Sequence, residues 1–121
     1  FSTNLTITSN TLTITTAGAN TILGTTPTTN INTWAFTTAD PDGNQLQNGQ
    51  SITVTVIIDA NTAASYGDDC TVDGNAVTNG VQWSGGSPPL ATSNTDILSF
   101  IIIKDNSGVV RVFGQGNTDF S

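Results

Sequence analysis

Histidine, methionine and glutamate are absent from this sequence, and cysteine, lysine and arginine occur once each. Each shortage removes a kind of chemistry. Histidine is the usual general base, proton shuttle and zinc ligand. Without it, Ser-His-Asp and Cys-His catalysis and most zinc sites are excluded. Lys104 and Arg111 stand against nine aspartates, for a net charge of -7. Nucleic-acid binders neutralise phosphates with lysine and arginine, and anionic membrane surfaces attract the same residues. The charge balance therefore argues against both partners. No stretch reaches the roughly 18–20 apolar residues of a membrane span, so no membrane insertion is expected. Cys70 has no partner for an intrachain disulfide. Asp68 and Asp69 beside it oppose the thiolate that a reactive cysteine needs, so it reads as a small, half-buried strand residue. The expectation is a protein that is not an enzyme and takes no cofactor.

What is present is polar, small and β-branched: 23 Thr, 13 Asn, 12 Gly and 10 Ser among 121 residues, with 36% hydrophobic. Helix formers are sparse, whereas Thr, Val and Ile are plentiful, which is an all-β profile. The length suits one compact domain, with or without a short appendage.

The first 30 residues are repetitive. Leu-Thr-Ile-Thr occurs at 5–8 and again at 12–15. Alternation places Leu5, Ile7, Leu12 and Ile14 on one face of two short strands, with Ser9-Asn10 able to turn between them. Two strands this short need another surface to pack on. "TTPTTNIN" (25–32) reads as a linker. This divides the chain into a β-repeat or assembly segment, 1–30, and a globular β-domain, 31–121. In the second part, "SITVTVIID" (51–59) is the clearest alternating strand. "CTVDGNAVT" (70–78) reads as a hairpin, and "DILSFIIIK" with "VVRVFG" as an antiparallel hairpin around "DNSG". Short strands at this spacing predict an antiparallel β-sandwich or jelly-roll-like domain.

"DILSFIIIK" departs from the alternation of a strand with one wet face. One row is Ile97, Ser99, Ile101, Ile103; the other is Leu98, Phe100, Ile102, Lys104. Both rows are largely apolar, so both should be covered, the second by a loop of the same chain such as Gly-Gly-Ser-Pro-Pro or by a neighbouring subunit, with at least part expected to be a subunit interface. The residues expected at that interface are Leu98, Phe100 and Ile102, with Leu5, Ile7, Leu12 and Ile14. Lys104 and Arg111, on this hairpin, are expected to pair with aspartates.

Three other features invite a site. Asp40, Asp42 and Asn44 place oxygens at alternate positions, as at the start of a calcium loop. The sixth and twelfth positions are Gln45 and Ser51, not the Gly and Glu of an EF-hand, and a turn with Pro41 at its second position accounts for the segment too. Asp68-Asp69 is a carboxylate pair, but neighbours on a strand point to opposite faces. Trp34, Tyr66 and Trp83 could stack on sugar rings or fill the core.

"VQWSGGSPP" (81–89), "TDILSF" (95–100), "VVRVFGQG" (109–116) and the closing "GNTDFS" resemble a module of tailed-bacteriophage structural proteins, above all the tail-fibre-like proteins of phages of marine cyanobacteria. "TNLTITSNTLTITTAGAN" is similar to the short β-repeats of fibre shafts in that class. Where such modules often carry an aromatic pair in the last hairpin, this chain has only Phe113. The resemblance implies a virion structural role, on the tail or head surface, in a fibre-type or decoration-type component. It also implies a homotrimer, contacts with other virion proteins, and a contribution to host attachment. A carbohydrate-binding module reading host-surface glycans, and a subunit of a bacterial extracellular filament or adhesin, are the alternatives.

Overall fold

The computed structural model describes residues 5–27, 29–59 and 65–121. Among them are ten strands and no helix: β1 (Leu5–Thr8), β2 (Thr11–Thr15), β3 (Thr21–Thr25), β4 (Ile31–Thr37), β5 (Gln50–Ile58), β6 (Tyr66–Val72), β7 (Asn75–Ala76), β8 (Val81–Trp83), β9 (Thr95–Lys104) and β10 (Val110–Phe120). They form two five-stranded sheets, ordered β1-β2-β4-β6-β7 and β3-β5-β9-β10-β8. The chain is all-β, and its two sheets enclose one hydrophobic core. Rings lock them together: Trp34 and Phe36 of the first sheet meet Phe100 of the second at centroid distances of 4.9 and 5.2 Å.

Local chemistry explains the hairpins. Ser9 and Asn10 both have positive φ, 51° and 65°, as in the tight turns whose twist suits a two-residue hairpin. They set the antiparallel register Leu5↔Ile14 and Ile7↔Leu12. Between β9 and β10 the Asp105 carboxylate accepts from the amides of Ser107 and Val109, at 2.8 and 3.0 Å. β5 runs antiparallel to β9, with Val54 opposite Phe100 and Val56 opposite Leu98. Val54, Val56, Leu98 and Phe100 are fully buried.

The sandwich is mixed, not antiparallel as expected. β2–β4, β4–β6, β3–β5 and β8–β10 are parallel pairs. From β2 to β6 the chain passes alternately from one sheet to the other. Strands two apart in sequence therefore become neighbours running the same way. A short strand between turn residues looks the same whether its turn folds back within a sheet or crosses the core. "TTPTTNIN" holds one such crossing, with Pro27 buried, and Thr21–Thr25, to which the sequence reading gave no strand, is β3.

The division at residue 30 is also corrected. β1 and β2 extend the first sheet through β2–β4, and β3 joins the second through β5. Leu12, Ile14 and Leu23 are fully buried in the same core as Trp34 and Phe100. The leading strands are inner walls of the domain rather than an appendage.

Candidate functional site

Alternation along β9 decides what the surface offers. Leu98, Phe100 and Ile102 point inward and are fully buried, while Ile101 on the other row is 43% exposed and Ile97, Ser99 and Ile103 are half-buried. The interface residues expected from the sequence are thus on the wrong side of the strand. Leu98, Phe100, Ile102, Leu12 and Ile14 are core, and Leu5 and Ile7 are half-buried against that core. None of the five core residues can meet a second copy without opening the sandwich. A signal for this was in the sequence: Ser99 interrupts one row, and a polar break marks the wet side.

Register lays the outer face out in rows. Ile101 lies between Thr53 of β5 and Phe113 of β10, and Phe113 lies beside Gln82 of β8. Ile103 lies between Ser51 and Arg111; Ile97 lies between Ile57 and Asn117. Ile22 of β3, 56% exposed, continues the face at its edge. Thr53, Gln82, Ser99, Ile101, Phe113 and Gln115 line a shallow groove of about 570 Å³. The row Thr55, Ser99 and Gln115 separates Ile57 and Ile97 from Ile101 and Phe113; fully burying one such Ile or Phe would contribute roughly 1.5–3 kcal/mol, so the face can serve as a contact site.

Charge is nearly missing from this face. Arg111 stands at one end, its guanidinium 4.9 Å from the centre of the Phe113 ring and its Nε donating to Gln82 at 3.2 Å. Asp59 follows the last residue of β5 at the other end and accepts from the Thr95 hydroxyl. Between them the outward positions of β5, β9 and β10 carry no carboxylate. Among the described residues the two cations do not pair with aspartates as expected: Lys104 Nζ donates to the Leu46 carbonyl at 3.4 Å.

The proposed sugar-stacking residues are interior. Trp34 is fully buried and donates from Nε1 to the Gly67 carbonyl at 2.9 Å. Tyr66 is 7% exposed and its hydroxyl donates to Asp96. Trp83 packs edge-on to Phe100 at 5.5 Å. Its ring occupies the space beside Gly114, where an added Cβ would come within 2.8 Å of it. Aromatic bulk and β-strand context cannot by themselves separate a buried ring from a displayed one.

The other candidates resolve into structure. Asp40 Oδ1 accepts from the amides of Asp42 and Asn44, both at 2.9 Å, so its carboxylate closes the turn that presents Asp42 and Asn44 to solvent. Among the described residues no three or more His, Cys, Asp or Glu side chains are grouped so that they could hold a metal ion. Cys70 lies in β6, 4% exposed, and burial pushes its thiol up to about 12. It is a core residue, more buried than expected, and its inertness comes from burial more than from its acidic neighbours.

One residue does more than its place before a strand predicts, which is a bond to nearby backbone. Asp96, at the start of β9, is fully buried. Its carboxylate accepts from the Tyr66 hydroxyl, the Thr92 hydroxyl, the Thr92 amide at 3.0 Å and the Asp119 amide at 3.0 Å. Burial raises the pKa of this carboxyl, but the hydrogen bonds from Thr92, Tyr66 and Asp119 outweigh it and hold the pKa below its ordinary value. It ties together β6 of one sheet, β9 and β10 of the other, and the segment leading from β8 to β9. That segment is fixed at its start as well. Gly85 and Gly86 take φ of 84° and 89°, and Pro89 sits where a Cβ on Gly116 would come within 2.7 Å. The Gly-Gly-Ser-Pro-Pro turn therefore braces β10 and leaves the outer face of β9 open.

Comparison with known proteins finds no matching family model, no similar curated protein and no similar solved structure.

Proposed function

We propose that this chain is a non-enzymatic structural β-domain of a tailed-phage virion, a fibre-type or decoration-type component that works through surface contacts. One observation supports this above the others: the outer face of the second sheet carries Ile97, Ile101, Ile103 and Phe113 with no carboxylate among them. That is the composition of a contact surface rather than of a reacting centre. The resemblance of "VQWSGGSPP" and "TDILSF" to phage structural modules supplies the setting. In the fold these motifs are β8 with its braced turn and the central strand β9, so they carry architecture. The carbohydrate-binding alternative loses Trp34 and Tyr66 to the core and keeps of Trp83 only the 7% that is exposed, at the wall of the groove.

Immunogold labelling tests the assignment. Antibody raised against the purified chain should decorate intact particles at a fixed place on tail or head. Labelling confined to bacterial surface filaments would overturn the virion reading in favour of an adhesin.

A further inference from the structure

We infer that the outer face of the β3-β5-β9-β10-β8 sheet pairs with the same face of a second copy of this chain. The inference rests on the structural role proposed above and names its contact. The argument begins with charge. Two copies of net charge -7 repel each other wherever aspartates face aspartates. Asp40 and Asp42 lie at the turn after β4, Asp68 and Asp69 lie on β6 of the other sheet, and Asp105 and Asp119 lie beyond or near the strand ends. The outward positions Ser51, Thr53, Thr55 and Ile57 on β5 and Ile97, Ser99, Ile101 and Ile103 on β9 hold no charge at all. This is the approach along which a second acidic copy meets no carboxylate row.

The charges at the margins sharpen the geometry, with Asp119 of β10 exposed at the same end as Asp59 and Asp105 at the end of Arg111. Arg111 is at the end where β10 pairs with Ile103; Asp59 is at the opposite end, beyond Ile57. If the two faces stack with their strands antiparallel, the Arg111 end of each copy lies over the Asp59 end of the other. Parallel stacking would bring like charges together instead. The central contacts would then be Ile101 and Phe113, set among Thr53, Ser99, Gln82 and Gln115, which supply neutral hydrogen-bonding groups around an apolar centre. Such a contact is self-complementary and closes at two copies, whereas the trimer implied by the resemblance would need two different surfaces on each chain.

Sedimentation velocity on the full chain decides it. The wild type should sediment as a dimer, and Ile101→Asp should weaken association by at least about tenfold, ~1.4 kcal/mol. Phe113→Ser, which adds no charge, should weaken it as well. Unchanged near-ultraviolet circular dichroism would confirm that the buried Trp34 and Trp83 remain packed in both variants. Arg111→Asp should loosen the pair, and adding Asp59→Arg to it should restore association. A monomeric wild type overturns the pairing, as does association that survives both Ile101→Asp and Phe113→Ser. A monomer retarded on a carbohydrate matrix through Phe113 would also overturn it, assigning the face to a sugar. A monomer found by immunogold on particles removes the pairing and leaves the virion role; a dimer absent from particles does the reverse.

Discussion

Asp96 shows how much one side chain can hold in a domain with little charge to spare. Its four hydrogen bonds join strands of both sheets and the Pro-Pro segment. Asp96→Asn keeps the shape but turns an amide donor toward groups that already donate. Bonds to charged groups are worth about 1.5–3 kcal/mol each, so the variant should lose about 2 kcal/mol or more, read from its urea midpoint. The pH dependence has a definite sign. The folded pKa lies below the ordinary aspartate value of 3.8. Asp96 therefore stabilises the fold above that value, and this contribution is lost as the pH falls through the folded pKa. Wild type should weaken in acid more steeply than Asp96→Asn. Neutralising the other aspartates would relieve repulsion in both proteins equally, so the difference between the curves isolates this residue.

At the scale of elements, the β8–β10 pair depends on close approach. Gly114 leaves room for the Trp83 ring and Val81, each of which would lie 2.8 Å from an added Cβ. Gly114→Ala should force a shift in the core and cost roughly 1–3 kcal/mol, seen as a lower melting temperature with the native spectrum largely retained. Strand identities were legible where periodicity was strong. β5, the β1–β2 hairpin and the β9–β10 hairpin all lie where alternation and turn residues put them. Partnership was not. β2 and β4 are parallel neighbours because the chain crosses to the other sheet between them, and no residue in "TTPTTNIN" states which way a turn leads. The contact face was half legible. Both rows of β9 were identified, and Ser99 marked the wet one, but the partners Ile52, Val54 and Val56 of β5, opposite Ile102, Phe100 and Leu98, are known only with the pairing. The reach of Asp96 was hidden for a different reason: its four donors come from three separate places in the fold, Tyr66, Thr92 and Asp119, and a lone Asp before a strand looks like a turn residue.

Across the whole molecule the two sheets and the leading strands are one cooperative unit. Leu12, Ile14 and Leu23 supply fully buried surface to the common core, and burying each such side chain contributes roughly 1.5–3 kcal/mol. A fragment of residues 31–121 should therefore fail to reach the native state, with tryptophan emission and near-ultraviolet dichroism resembling those of the unfolded chain. A fragment with native spectra would restore the two-part division read from the sequence.

The strand order of the second sheet has a consequence for how the molecule comes into being. β9 lies between β5 and β10, yet it is synthesised after β5, β6, β7 and β8. The sheet is thus closed from its middle, not from its rim. Until residue 104 is available, β5 has an open hydrogen-bonding side and an apolar row with nothing opposite, and its eventual partners are as far apart in sequence as Gln50 and Lys104. Pairings over such separations form slowly. Throughout that interval the newborn chain offers its neighbours a bare strand edge, the kind of surface that invites a wrong partner. The finished protein has hidden that edge completely, and the hazard belongs only to its birth.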